Sequence, residues 1–158
     1  MRIKGIIAED FVQYKKPSLF IITSFCTFKC EKECGIAGIC QNSPLAKAEI
    51  KNISNSAIVA AYLQNDITKA IVFGGLEPLD QLDELISLIS DFRAQTSDDI
   101  VIYTGYNKEE VQDKILLLKK FGNIICKFGR FVPGDMKHHD PLLDVDLASN
   151  NQYAEKIC

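Results

Sequence analysis

The chain has 158 residues, of which 47% are hydrophobic and 25% charged, and a formal net charge of -3 at pH 7. This length suits one domain over residues 1–158, and the small negative charge excludes a basic surface for nucleic acid or anionic lipid. No apolar run approaches the roughly 20 residues that span a bilayer, and the charged N-terminal stretch lacks the apolar segment of a secretory signal, so we expect a cytoplasmic protein that binds neither nucleic acid nor membranes.

Strands and helices alternate along the predicted chain. Short apolar runs rich in β-formers predict strands over 18–23, 69–73, 100–103 and 123–127, with a short strand around 143–147. Apolar residues at helical spacing predict helices over 44–65, 80–94 and 108–120. The stretch after the first strand contains four cysteines and two glycines and is predicted to be a loop. This alternation indicates an α/β fold with a mostly parallel sheet and right-handed crossovers.

The chemically distinctive segments each follow a predicted strand. The cysteine stretch follows the first strand, Gly74-Gly75 the second and Thr104-Gly105 the third. The carboxyl ends of parallel strands lie along one edge of a sheet, where ligands bind. The sequence therefore predicts that these three segments meet around one site.

Four of the six cysteines lie in one stretch, as Cys26, Cys30, Cys34 and Cys40. In a reducing compartment such a group indicates a metal site rather than a disulfide framework. Thiolates are the usual ligands of iron–sulfur clusters and also bind zinc, but the C-x2-C pair typical of zinc sites is absent. The other two differ: Cys126 lies in an apolar run and is predicted to be a buried small hydrophobe, and the C-terminal Cys158 is predicted to be frayed.

The C-x3-C spacing of Cys26 and Cys30 resembles the start of the C-x3-C-x2-C signature of the radical S-adenosylmethionine superfamily. In that superfamily three cysteines bind three irons of a [4Fe–4S] cluster. The fourth iron binds the amino and carboxylate groups of S-adenosylmethionine. The resemblance therefore implies both a [4Fe–4S] cluster and S-adenosylmethionine as cofactors.

The third cysteine departs from that signature. Cys34 as the third ligand gives C-x3-C-x3-C, whereas Cys40 makes residues 31–39 an expanded loop. We favour Cys40, because Cys40-Gln41-Asn42 with the preceding apolar residue resembles the apolar-Cys-x-Asn ending of the signature in glycyl-radical-enzyme activases. Cys34 stays the alternative third ligand.

The segment Gly74-Gly75-Leu76-Glu77-Pro78 resembles the superfamily's G-G-E-P segment, with Leu76 at the second glycine. The resemblance implies that its backbone carbonyls and a carboxylate contact the amino group of S-adenosylmethionine. An ammonium group requires several acceptors in a fixed geometry.

The segment Tyr103-Thr104-Gly105-Tyr106 resembles the Y-T-G-Y segment of the activating proteins of anaerobic ribonucleoside-triphosphate reductase, where it lies at the nucleoside side of the pocket. Residues 129–132 resemble the D-G-x-F element of that family, with Phe128 in place of its aspartate. Residues 148–152 resemble its G-S-S-N-Q element. The resemblance thus runs in order over nearly the whole chain.

This resemblance implies a partial (β/α) barrel, open on one side, with the cluster at the carboxyl ends of the strands. It implies an enzyme that cleaves S-adenosylmethionine reductively to a 5′-deoxyadenosyl radical and generates a glycyl radical on an anaerobic ribonucleotide reductase, using an external electron donor. No catalytic side chain beyond the cluster ligands is expected. The implied cofactor-binding residues are Asn42, Gly74, Gly75, Leu76, Glu77, Tyr103, Thr104 and Gly105.

Two alternatives stay open. The expanded cysteine loop and the missing aspartate also fit a radical S-adenosylmethionine enzyme that acts on a different protein or on a small molecule. A non-enzymatic zinc or iron–sulfur module explains the cysteines but not the segments that begin at Gly74 and Tyr103. His138-His139-Asp140 is predicted to be a solvated loop rather than a second metal site.

Overall fold

Four apolar runs form the parallel centre of one large sheet. The computed structural model describes all residues 1–158. Its strands are β1 (Arg2–Asp10), β2 (Ser18–Thr23), β3 (Lys51–Asn52), β4 (Ala70–Gly74), β5 (Asp99–Tyr103), β6 (Ile124–Phe128), β7 (His138–Asp140), β8 (Val145–Leu147) and β9 (Tyr153–Lys156). The α-helices are α1 (Lys29–Cys34), α2 (Asn55–Leu63), α3 (Leu82–Arg93) and α4 (Gln112–Lys119), and 3-10 helices cover Ser43–Lys47, Pro78–Gln81 and Lys108–Val111.

The large sheet has seven strands in the order β3-β1-β2-β4-β5-β6-β9. Strands β2, β4, β5 and β6 are parallel, and β1, β3 and β9 add antiparallel edges. Strands β7 and β8 form a separate antiparallel pair. The parallel register aligns Ile21 with Phe73, Phe73 with Ile102, and Ile102 with Cys126, so the carboxyl ends of the central strands lie side by side.

The two faces of the sheet have different coverings, because successive side chains of a strand point to opposite faces. On one face Phe73, Ile102 and Cys126 pack in a single apolar core with the buried residues of α2, α3 and α4. On the other face Val72 and Val101 pack against Tyr14, Leu143 and Leu147 from flanking segments. The side chains of this second face lead to the carboxyl edge, where Phe20, Tyr103 and Lys127 line a pocket.

The central strands confirm the sequence prediction, as do the helices near 80–94 and 108–120, each of which begins with a 3-10 turn. The mixed α/β fold and mostly parallel sheet were also expected. Whether the sheet curves into a partial barrel stays a prediction. No helix is both long and apolar enough to cross a bilayer.

Of the helix predicted over 44–65, only the part from Asn55 to Leu63 is confirmed. The chain forms a 3-10 helix, the short strand β3 and then α2, which starts at Asn55 because the Ser54 hydroxyl caps the Ala57 N–H at 3.2 Å. The cysteine stretch was predicted to be a loop throughout, yet it contains the short helix α1.

Cys126 is fully buried, as expected. Cys158 is not frayed: its carbonyl accepts a hydrogen bond from the Ile124 N–H at 3.3 Å, and it packs on the core.

Candidate functional site

A pocket of about 390 Å³ lies at the carboxyl edge of the parallel strands. This volume is within the range of small-molecule sites. All three distinctive segments reach it, and its lining includes every predicted cofactor-binding residue: Asn42, Gly74, Gly75, Leu76, Glu77, Tyr103, Thr104 and Gly105. The common site predicted from strand order is therefore present as a cavity.

Three of the four clustered cysteines line this pocket. Cys26, Cys30 and Cys40 are half-buried on its wall. Cys34 is exposed and outside the lining, with its Sγ 3.6 Å from the Glu31 carbonyl oxygen. The structure thus brings Cys40, rather than Cys34, next to Cys26 and Cys30.

The thiols of the pocket are held in a desolvated environment. Burial raises the pKa of Cys26 to about 12, although the Phe28 N–H, 3.2 Å from its Sγ, opposes this. Burial and the neighbouring Cys40 thiol raise the pKa of Cys30 to about 11. Without a cation these groups are neutral at pH 7, whereas metal binding requires thiolates.

The donor set fits an iron–sulfur cluster by its chemistry, because three thiols converge on one wall and cysteine is the usual ligand of such clusters. No group of three or more Cys, His, Asp or Glu side chains surrounds a single-ion position. His139 lies on β7 and pairs with Asp144 at 3.2 Å and Asp146 at 3.4 Å, both highly exposed. The prediction of a solvated loop at 138–140 was therefore wrong in part: His139 is exposed, but the residues form a strand and Asp140 is buried, with its carboxylate accepting hydrogen bonds from backbone N–H groups.

The start of the cysteine segment is fixed by the 3-10 helix Pro78–Gln81. The Thr27 N–H donates to Asp80 Oδ2 at 2.9 Å, and the Ser24 N–H donates to Gln81 Oε1 at 2.7 Å. In return, the Glu77 N–H donates to the Phe25 carbonyl at 2.9 Å. The segment that carries Cys26 is therefore braced by the turn after β4.

The turn after β4 requires glycine at Gly75. Its φ is +81°, and a Cβ there would lie 2.6 Å from Cγ2 of Ile22. Such close approach explains the glycine in physical terms, because any side chain would collide with β2 and strain the backbone. Leu76, the departure from the G-G-E-P pattern, is buried at the pocket.

Glu77 joins this turn to the turn after β5. Its carboxylate accepts hydrogen bonds from the Leu79 N–H at 3.1 Å and from the Gly105 N–H at 2.8 Å. Burial raises the pKa of Glu77 to about 7, while Gly105, the Thr104 hydroxyl and Leu79 act in the opposite direction. The carboxylate therefore has structural partners within the protein as well as a place on the pocket wall.

The turn after β5 connects the remaining walls. The Thr104 N–H donates to the Lys127 carbonyl at 2.9 Å, and the Gly129 N–H donates to the Tyr106 carbonyl at 3.0 Å. The Tyr103 hydroxyl donates to the Gln13 carbonyl, and the Tyr106 hydroxyl to Asp80. The Y-T-G-Y segment thus holds β6 and the segment after β4 in place.

Sequence reasoning missed Lys127. The side chain is buried on the pocket wall, and its only hydrogen bond within the protein is from Nζ to the Gly129 carbonyl at 2.9 Å. Burial lowers its pKa to about 8, while Glu77 and Cys40 oppose this shift. The next residue, Phe128, instead lies in the apolar core that packs against α2, α3 and α4. A lysine inside the apolar run IICKF was the available signal.

Arg130 was also missed. It lines the pocket with a side chain only 9% exposed and donates twice to the Glu110 carboxylate, at 2.7 and 2.6 Å. Its Nε lies 3.1 Å from Glu33 of α1 without a hydrogen-bonding angle. Lys29 of α1 also contacts Glu110 at 3.3 Å. This ion network ties the cysteine helix to the segment after β6.

Comparison with known proteins agrees with the cysteine chemistry. The family described as 4Fe-4S single cluster domain matches residues 17–153, which include the cysteine segment and all pocket-lining strands. No curated protein and no solved structure matches the chain. Because the match covers most of its length, the chain belongs to the 4Fe-4S single cluster domain family.

Proposed function

We propose that this iron–sulfur protein is a radical S-adenosylmethionine enzyme that generates a 5′-deoxyadenosyl radical, with a glycyl radical on an anaerobic ribonucleotide reductase as the product. The convergence of three thiols with the turns after β4 and β5 around one pocket carries the proposal. A simple cluster or zinc module would require the thiols but not a ligand-sized cavity beside them.

We assign Cys26, Cys30 and Cys40 as the cluster ligands. Their shared position on the pocket wall supports this choice, as does the outward position of Cys34. A [4Fe–4S] cluster with three protein ligands supplies, when reduced, the electron that breaks the sulfur–C5′ bond of S-adenosylmethionine. The protein supplies ligand binding, orientation and protection from water.

The charges of the pocket suit a zwitterionic amino-acid group. The wall near Gly75 and Glu77 offers acceptors for an ammonium group. Lys127 lines the same pocket and has two N–H groups that make no hydrogen bond within the protein. Burying an ammonium is costly unless an anion accompanies it, so we assign Lys127 to the carboxylate of S-adenosylmethionine. Tyr103, Thr104 and Asn42 are assigned to the remainder of that ligand.

The open side of the pocket is proposed as the entry for the partner's glycine-bearing segment. Val12 lines the pocket and is 71% exposed, so an apolar surface borders the cavity. The proposed partial barrel leaves this side accessible to a macromolecule. The electron that the cluster would need would come from an external donor.

The proposal is tested by anaerobic reconstitution with iron and sulfide, followed by dithionite and S-adenosylmethionine. We expect 5′-deoxyadenosine and methionine in equal amounts, and neither product from Cys26→Ala. An intact cluster that yields no 5′-deoxyadenosine would reject the radical chemistry.

A different substrate is the second candidate. Two observations favour it. Residues 31–39 expand the cysteine loop. In addition, Phe128 stands where the activating proteins have an aspartate, and its side chain lies in the core. Adding an anaerobic ribonucleotide reductase separates the two candidates. A glycyl-radical signal in its electron paramagnetic resonance spectrum supports the first, and 5′-deoxyadenosine without that signal supports the second.

A further inference from the structure

Between Cys30 and Cys40 the cysteine segment forms a loop that leaves the pocket and returns to it. Helix α1 ends at Gly35, whose φ is +71° and whose N–H donates to the Glu31 carbonyl at 2.9 Å. Gly38 also has a positive φ, of +76°. These left-handed residues turn the chain back, so that Cys40 returns to the pocket beside Cys30.

Apolar packing contributes little to the stability of this loop. Residues 32–38 are all exposed, and Ile36 is 53% exposed. α1 has no buried residue. A short exposed segment of this kind loses conformational entropy on ordering and gains little burial in return. A specific polar contact must therefore keep Cys40 in place.

The Glu31 side chain makes that contact. Its carboxylate accepts a hydrogen bond from the Ser43 hydroxyl, and the Ser43 N–H donates to the Cys40 carbonyl at 3.0 Å. Glu31, which directly follows Cys30, is thus linked to the turn that begins at Cys40.

Cys34 is the local competitor. It lies four residues after Cys30, one helical turn away, so the two side chains can share one side of α1. In the structure the Cys34 Sγ contacts the carbonyls of Glu31 and Ile36 and lies outside the pocket. Cys40 is more distant in sequence and needs the folded loop to compete.

We propose that Glu31 is the positioning residue that selects Cys40, instead of Cys34, as the third cluster ligand. This inference rests on the proposed function, because it takes Cys26, Cys30 and one further cysteine as the ligands. Glu31 acts through the loop and touches neither the cluster nor the substrate.

The first test uses the protein without a cluster. Diamide oxidises the adjacent Cys30 and Cys40 thiols to a disulfide and takes up their two electrons and two protons to become its hydrazine. Mass spectrometry of digests gives the rate of Cys30–Cys40 pairing. We expect Glu31→Ala to slow this pairing roughly tenfold, the effect of losing one charge-assisted hydrogen bond. Ser43→Ala should slow it similarly, and Glu31→Gln less, since its amide oxygen still accepts.

Lys32→Ala is the matched control, because Lys32 is an exposed residue of the same helix. It should pair at the wild-type rate. Equal pairing rates in Glu31→Ala and wild type, with both proteins folded by circular dichroism, would overturn the inference. This measurement needs no cluster, so it stays decisive even if the protein fails to cleave S-adenosylmethionine.

The second test reads the ligand choice directly. In the wild-type background, iron content after reconstitution should depend on Cys40 and be insensitive to Cys34→Ala. In the Glu31→Ala background we expect Cys34→Ala to lower iron and sulfide content as well. Continued insensitivity to Cys34→Ala in that background would mean that Glu31 does not select the ligand. A wild-type protein that binds no cluster would instead count against the proposed function.

Discussion

The buried Glu77 carboxylate accepts a 2.8 Å hydrogen bond from the backbone N–H of Gly105, and this contact joins the turns after β4 and β5. Both turns carry segments that sequence resemblance assigned to S-adenosylmethionine. The same carboxylate also caps the Leu79 N–H at 3.1 Å. Its first role visible in the fold is therefore to set the spacing between two walls of the pocket.

Replacing Glu77 with glutamine should change how stability depends on pH. Burial raises the folded-state pKa of Glu77 to about 7, above the ordinary 4.5. The folded protein then holds a proton that the unfolded chain has released, so the Glu77 contribution to stability falls as pH rises between those values. Urea unfolding of the cluster-free protein at about pH 5 and about pH 7 should show a smaller loss of stability for Glu77→Gln than for wild type.

The same variant should be less stable than wild type near neutral pH, by about 1–2 kcal/mol, because an amide NH₂ would face one of the two backbone donors. Glu109→Gln is the comparison, since Glu109 is an exposed residue of the neighbouring turn. Identical pH slopes for Glu77→Gln and wild type would contradict the raised pKa.

The position of the site could be predicted from the sequence, but the hydrogen bonds and ion pairs that hold the site together could not. Strand order was enough to place the cysteine segment and the turns at Gly75 and Thr104 on one edge, because parallel strands align their carboxyl ends. Local patterns missed the antiparallel strands β1 and β9, since their alternation is irregular and many of their residues are exposed. β9 forms by pairing with β6, about thirty residues earlier in the chain, and a local sequence window does not detect such pairing.

The inward direction of Lys127 illustrates a further limit. Within an apolar strand only the register decides which side chains face the core and which the pocket. That register places Phe128 among the core residues and leaves Lys127 at the pocket. Likewise, Arg130 meets Glu110 only because the 3-10 helix Lys108–Val111 and the segment after β6 come together in the folded chain.

Cluster binding should depend unequally on Cys34 and Cys40. After anaerobic reconstitution we expect Cys40→Ala to lose most of its iron and sulfide, because its thiol lies on the pocket wall. Cys34→Ala should bind as much as wild type, since Cys34 is exposed outside the pocket. Iron and acid-labile sulfide analysis, with electron paramagnetic resonance of the reduced proteins, provides the measurement. The opposite pattern would make Cys34 the third ligand.

The ion network at Arg130 should stabilise the cysteine helix. Its guanidinium is 9% exposed and makes two hydrogen bonds to Glu110, so Arg130→Ala would leave that carboxylate without its main partner. We expect a loss of about 1–3 kcal/mol in the free energy of unfolding, with faster hydrogen exchange over residues 29–34. Glu33→Gln should cost less than about 0.5 kcal/mol, because its side chain is 60% exposed. If the two variants lost equal stability, burial of the charged side chain would not determine how much each ion pair contributes to the free energy of unfolding.

Lys127 should recognise the carboxylate of S-adenosylmethionine. Its ammonium is buried on the pocket wall with one hydrogen bond, to the Gly129 carbonyl at 2.9 Å. Removing a charge-assisted contact in such a site weakens binding by roughly tenfold or more. Equilibrium dialysis of the reconstituted protein should therefore show weaker binding of S-adenosylmethionine to Lys127→Gln than to wild type.

The matched ligand is decarboxylated S-adenosylmethionine, which lacks the group that Lys127 is expected to contact. Wild type and Lys127→Gln should bind this analogue with similar affinity, because the variant removes only a partner of the carboxylate. A parallel loss of affinity for both ligands would instead indicate that Lys127 supports the shape of the pocket. The comparison therefore separates recognition of an anion from the packing role of the lysine stem, which a single affinity measurement would leave combined.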